Sequence, residues 1–342
     1  MIYYLKKSIY FRVISPKEKE IMRRFVSFIL SAVMLCLLFG CSAAGVSQTV
    51  SAPETEETVS AMSSTPEPVK TIGVFTSATE PDDSGYYQCD YNGIERKYML
   101  YVPKGFGENA PLLFMLHGYA GSAKGFMDNT GMNSAADQYG FAVVYPQGLR
   151  DPANTTGGAC WNSGLTDSVN DDTGFLTALA QYLQQTYGFN RSATFAAGFS
   201  NGAFMMYKLA VEAPDTFRAV ASVSGMMSGG AWEERPEAAS VGILQISGTN
   251  DSVVPIDKDG VYGDAPAIGG VIDYWKTADG LDESEVVKLS DKATAYRYSS
   301  KNNDNLVWYV EIEGGDHSWP QQSTSGFDAN AVILEFFSRL AS

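Results

Sequence analysis

Apolar residues along this chain come in short blocks of two kinds. Residues 111–116 (PLLFML), 193–197, 219–223 and 241–247 are brief, mostly apolar runs. A strand covered on both faces reads this way, because neither face needs polar side chains. Between these runs the period lengthens. Residues 172–187 place Phe175, Leu176, Leu179 and Leu183 on one helical face, and residues 203–210 repeat the spacing. Further helices are expected over residues 132–139 and 268–277 and from residue 329 onward. Further strands are expected at residues 141–145, 294–298 and 307–312. Residues 85–102 alternate instead, about Tyr91-Asn92-Gly93, which predicts two antiparallel strands joined at an Asn-Gly turn. Strand and helix otherwise take turns, as in an α/β fold with a mostly parallel central sheet and helices on both faces. Residues 146–170, rich in Gly, Asn and Asp, read as one long loop.

The pattern breaks at the N-terminus. Residues 25–39 form an apolar run behind Arg23 and Arg24 and before Gly40-Cys41. Fifteen residues suit the core of an export signal and fall short of a membrane span. Leu38-Phe39-Gly40-Cys41 resembles a bacterial lipoprotein signal, in which the cysteine is lipidated. The competing expectation is an ordinary secretory signal with a coincidental cysteine. Basic residues usually stand near the start of such a signal, so Met22 is a candidate start. Residues 42–72 are rich in Ser, Thr, Glu and Pro and nearly free of aromatics, as in a disordered tether. The expected organisation is a leader over residues 1–41, a tether over 42–72 and one domain over 73–342. The expected location is extracellular, at a bacterial cell surface, with the membrane reached only through the lipid.

Composition narrows the chemistry. The 342 residues carry a formal net charge of −15, and seven of the 24 basic residues fall in the first forty. So acidic a remainder argues against a nucleic-acid partner. The chain has only two histidines, His117 and His317, and four scattered cysteines, so a histidine-rich metal site is not expected. Cys89 and Cys160, the thiols left in the exported domain, are candidates for a disulfide or for a free buried pair. Asp171 and Asp172 read as an acidic helix start in preference to a calcium site.

Gly198-Phe199-Ser200-Asn201-Gly202 lies between a strand-like run and a helix-like one. Two glycines there allow a sharp turn that lifts a serine hydroxyl clear of a sheet, the nucleophile elbow of α/β hydrolases. Such a serine needs a base, and the base needs an acid to hold its tautomer. His317 follows the strand at 307–312, and Asp251 follows the one at 241–247. Ser200, Asp251 and His317 thus stand in the order such hydrolases use, each just past a strand. Asp316 and Asp304 are rival acids, and His117 is the rival base, although it precedes the serine. His117-Gly118-Tyr119 ends the strand at 111–116, where a backbone amide would help hold an oxyanion. That nominates the amides of Tyr119 and Asn201, with His117 a brace for the loop or a substrate contact. Trp161 and Trp319 are candidate substrate contacts, or else buried packing residues.

LLFMLHGYAGSA, FAVVYPQG, CWNSG, DDTGFL, GFSNGAFMMYKLA, ISGTNDSVVP and GGDHSWP occur in that order. Together they resemble the esterases related to polyhydroxybutyrate depolymerases and the feruloyl and acetylxylan esterases of carbohydrate esterase family 1. The resemblance covers residues 85–340. It implies a single α/β-hydrolase domain, a Ser200–Asp251–His317 triad, no cofactor, and a monomer acting on an acylated glycan or small ester. The sequence departs from the family at Ala203, where a glycine is commoner, and at Tyr119, where relatives carry smaller residues or cysteine. A peptidase of the same fold, or a glycan-binding surface lipoprotein without catalysis, are the competing expectations.

Overall fold

The computed structural model describes residues 69–341, apart from 73, 106, 151–156, 166–167 and 239. The leader, Met22, Cys41 and most of the tether lie outside the described residues. Residues Thr65–Ser342 form one compact unit.

A twelve-stranded sheet organises it. In chain order its strands are β1 (Val69–Ile72), β2 (Phe75–Ala78), β3 (Tyr87–Tyr91), β4 (Ile94–Tyr101), β5 (Leu112–Leu116) and β6 (Ala142–Pro146). After these come β9 (Thr194–Phe199), β10 (Ala219–Val223), β11 (Gly242–Gly248), β12 (Glu283–Lys288), β13 (Ala293–Ser299) and β14 (Val307–Ile312). Their spatial order is β1-β2-β3-β4-β6-β5-β9-β10-β11-β14-β13-β12. From β6 to β14 neighbours run parallel, and the strands at either side of this block are antiparallel. The sheet begins at Val69, which pairs with Ala78, so its first strand lies inside the stretch expected to be tether.

The parallel block explains the continuous apolar runs. Leu112, Phe114 and Leu116 of β5 enter one core, and Leu113 and Met115 enter the other, as the two-residue period of a strand requires. One core is closed by α3 (Asp172–Tyr187), α4 (Asn201–Glu212) and α6 (Ile268–Ala278), through Phe175, Leu179, Phe204, Val271 and Trp275. The opposite core is closed by α1 (Ala123–Thr130), α2 (Met132–Tyr139) and α8 (Ala329–Ser338), through Ala123, Met132, Ala136, Ile333 and Phe337. Helices therefore cover both faces, the three-layer arrangement of an α/β-hydrolase fold. The remaining helices are the short α5 (Gly229–Glu233) and α7 (Gln322–Ser325).

Two local readings carry over in detail. Asn92 (φ 54°) and Gly93 (φ 80°) turn β3 into β4, which pair antiparallel. The helix expected at 172–187 is α3, capped by the Asp171 carboxylate, which accepts from the Gly174 amide. The expected loop over residues 146–170 contains more structure than its composition suggested. β7 (Leu149–Arg150) and β8 (Ala159–Cys160) form a small antiparallel ribbon within it. No described helix is long and apolar enough to cross a membrane.

Candidate active site

Ser200 sits at the turn from β9 into α4, with φ 51° and ψ −118°. A non-glycine residue in this region is strained, and such strain persists only where the surroundings enforce it. The enforcement comes from close packing on both sides. A Cβ on Gly198 would lie 2.3 Å from the Gly202 carbonyl oxygen, and one on Gly202 would lie 2.4 Å from that of Leu116. Both glycines of the motif are therefore fixed by contact. The Ser200 amide donates to the Val223 carbonyl, which ties the elbow to the end of β10.

His317 and Asp251 meet this serine. His317 Nδ1 donates to Asp251 Oδ2 at 2.8 Å, and Nε2 lies 2.9 Å from Ser200 Oγ. With its proton on Nδ1, the imidazole presents Nε2 as an acceptor to the serine hydroxyl. Asp251 is buried, and its other oxygen accepts from the Val253 and Val254 amides at 2.8 and 2.7 Å. Four acceptor sites on a carboxylate meet three donors, so the charge is held without a cation. Phe199 packs against the His317 ring, with ring centres 5.1 Å apart. Of the rival acids, Asp316 accepts from the Ser318 hydroxyl, and Asp304 lies beside Arg218 at the opposite edge of the sheet.

The loop after β5 abuts the same serine. A Cβ on Gly118 would lie 3.4 Å from that of Ser200, which brings the next amide, that of Tyr119, to the site. Among the described residues, the Tyr119 and Asn201 amides donate to no protein acceptor. Two free amides beside a serine hydroxyl can receive a negatively charged oxygen.

His117 and Trp161 are not placed to touch a substrate. His117 is buried: Nδ1 donates to the Gly118 carbonyl, and Nε2 accepts from the Gly148 amide and the Gln147 side chain. Burial pushes its imidazolium pKa down to about 4, so the ring is neutral across the ordinary pH range. Trp161 is fully buried and donates from its indole to the His117 carbonyl. Both brace the loop after β5. Sequence shows an aromatic beside a motif but not the direction it faces. Trp319 remains half-exposed, held by an indole hydrogen bond to Asn330 and by the edge of Phe126.

No disulfide joins Cys89 and Cys160, which are both reduced and buried. Cys89 belongs to the main sheet and Cys160 to the small ribbon, and burial pushes the Cys89 thiol up to about 12. Asp171 accepts from Tyr91 as well as capping α3, and Asp172 pairs with Arg96 at 2.7 Å in a fully buried ion pair. Among the described residues, no three His, Cys, Asp or Glu side chains gather to hold a metal.

Two side-chain contacts at the site escaped the sequence. The Asn201 side chain accepts from the Trp161 amide at 2.7 Å and donates to Ser163 Oγ at 2.8 Å, clamping the CWNSG loop onto the elbow. Ser224, with φ 50°, donates to the Ser318 carbonyl at 3.0 Å and so holds the loop that carries His317. Neither signal is local, since each partner lies dozens of residues away.

Residues 96–285 match the family described as esterase PHB depolymerase. The chain belongs to this esterase family. Membership makes it a carboxylic-ester hydrolase by class. It is 29% identical over 255 residues to NocK of Nocardia uniformis subsp. tsuyamanensis, a protein described as an esterase, covering 67% of this chain and 72% of that one. It is 32% identical over 127 residues to feruloyl esterase B of Talaromyces funiculosus, covering 37% of this chain and 35% of that one. It thus spans only about a third of the fungal relative. Among solved structures, acetyl xylan esterase from Aspergillus awamori superposes with a TM-score of 0.54 at 17% identity, covering 78% of this chain and all of that one. At that identity the likeness is one of fold.

Proposed function

We propose that the protein is a serine esterase that cleaves acetyl or feruloyl esters on plant polysaccharide fragments through an acyl-enzyme. Ser200 Oγ attacks the ester carbonyl as His317 Nε2 takes its proton. Asp251 holds His317 in the required tautomer and stabilises the imidazolium. The amides of Tyr119 and Asn201 receive the oxyanion. The alcohol leaves with the proton from His317, and water then releases the acid by the same route.

The observation that carries this reading is the unbroken hydrogen-bond chain from Asp251 through His317 to Ser200. The glycan ester class is supported by relatives named feruloyl esterase B and acetylxylan esterase A. The family's own description favours polyhydroxybutyrate instead, as a second substrate reading. Hydrolysis of p-nitrophenyl acetate, methyl ferulate, acetylated xylotriose and a hydroxybutyrate oligomer separates them. Ser200→Ala is expected to lower turnover by about 10⁵ or more. Unchanged turnover in that variant discards the mechanism. A wild-type protein that a fluorophosphonate probe does not label, yet binds xylan, is a glycan-binding scaffold instead.

The leader and tether are part of the proposal. Cleavage before Cys41 and lipidation of that residue would leave the domain outside a bacterial cell, as a monomer. The intact mass of the mature protein from a membrane fraction tests the anchor and the start at Met22 together.

A further inference from the structure

A cavity of about 420 Å³ opens at the carboxyl end of β14, and neither Ser200 nor His317 lines it. Its walls are the turn before β13 that holds Lys292, the 313–319 loop and α7. The sheet order runs from β9 with Ser200, through β11 and β14, to β13. The cavity therefore lies at the same sheet edge as the serine, walled by the loop that carries the histidine. We propose that it is a saccharide subsite, taking a neutral, unesterified sugar ring of a substrate whose ester lies at Ser200. The inference rests on the glycan-ester reading above and says where the glycan goes.

The size falls within the range of roughly 300–1,000 Å³ typical of small-molecule sites. The chemistry is that of a polyhydroxylated ring, whose hydroxyls both donate and accept. Glu313 and Lys292 are exposed and make no side-chain hydrogen bond or ion pair among the described residues. Asp316 uses only Oδ1, for the Ser318 hydroxyl, and leaves Oδ2 available. Thr324 and Gln321 add a hydroxyl and an amide at the rim. Trp319 supplies the apolar face that a pyranose needs, since the C–H side of a sugar packs on an indole. Its ring is fixed beforehand by Asn330 and Phe126, so little ordering is lost on binding.

The same inventory excludes other occupants. Two carboxylates against one ammonium, on a chain of net charge −15, disfavour a polyuronate or other anionic polymer. A polyester segment, which offers carbonyls but few donors, would leave the Glu313 carboxylate and Asp316 Oδ2 without donors. Trp319 stands two residues after His317, so a ring held here fixes how far along the glycan the reacting ester can lie.

Xylotriose without acyl groups is the binding probe, titrated into the Ser200→Ala protein with the assigned Trp319 indole NMR signal as readout. A saturable shift is expected at millimolar concentration, weakened in Glu313→Ala. No shift up to about 20 mM, a range that corresponds to negligible binding energy, overturns the proposal. In kinetics, Glu313→Ala is expected to lower kcat/KM for acetylated xylotriose about tenfold relative to kcat/KM for p-nitrophenyl acetate. An unchanged ratio overturns the subsite. A hydroxybutyrate oligomer that shifts the indole where xylotriose does not also overturns it. Failure of the wild type to hydrolyse either ester takes down the esterase reading itself, which is a different result. Glu313 is exposed, so its replacement leaves the fold intact.

Discussion

Two aspartates are buried at opposite edges of one sheet, and they are solvated in different ways. Asp251, at the carboxyl edge, meets two backbone amides and an imidazole, so both oxygens are engaged. Asp279 follows α6 at the amino edge, beside the residues that lead into β10 and β14. Its Oδ1 accepts from the Asn305 side chain at 2.7 Å, but Oδ2 is buried without a partner. Desolvation raises the Asp279 pKa to about 6, although Asn305 and the Arg218 guanidinium pull the other way. The charge that the proposed mechanism uses is fully met by donors; the one that it does not use is tolerated at a cost.

The largest break in this comparison is Asp251→Asn. An amide there can still meet His317, but it favours the wrong imidazole tautomer, and kcat is expected to fall by about 10⁴. Steady-state kinetics on p-nitrophenyl acetate checks this, and a loss below tenfold would return the role of acid to Asp316.

Asp279→Asn should do the reverse, raising stability and leaving kcat alone. The sign follows from the raised pKa. The folded state holds the Asp279 proton more tightly than the unfolded chain, whose value is near 3.8. The protein therefore gains stability as pH falls through about 6, and loses it as pH rises back through that value. At roughly 1.4 kcal/mol per unit, up to ~3 kcal/mol is recoverable at pH 7. Denaturant melts at pH 4 and pH 7 test it: the gain from Asp279→Asn should be larger at pH 7. An equal gain at both would mean that the carboxylate is solvated after all.

Ser224→Gly is the smallest and sharpest test, because stability and rate should part. Glycine relieves a positive φ, worth about 1 kcal/mol, while removing the hydrogen bond that holds the His317 loop. Tm is expected to stay level or rise while kcat falls about fivefold, the equivalent of one ordinary hydrogen bond. If Tm falls while kcat is unchanged, Ser224 serves folding alone.

The sequence read well wherever chemistry and local geometry coincide. Ser200 could be set at a strand-to-helix turn because two glycines, a strand-like run and a helix-like run surround it within about fifteen residues, and the candidate bases narrow to two because the chain has only two histidines. The parallel strands of the core were legible because burial on both faces removes polar residues from them. The edge strands were not. β12 carries Glu283, Glu285 and Lys288 with Val286 exposed, so it lacks the alternation that a half-buried strand shows. For His117 and Trp161 the sequence left open whether each braces the loop or meets a substrate, and their burial beside the β7–β8 ribbon favours the bracing role. That ribbon is made of two-residue strands, too short for any periodicity. The choice between a disulfide and a buried pair of thiols stayed open for the same kind of reason, because the separation of Cys89 and Cys160 is set by tertiary packing.

The burial of His117 has a practical consequence for spectroscopy. This chain has two imidazoles, and one of them stays neutral and hydrogen-bonded at both nitrogens until about pH 4. In a titration between pH 5 and 8, one ring signal should stand still as an internal reference. The other ring signal is thereby assigned to His317 by elimination in the unmodified protein, with no mutant needed.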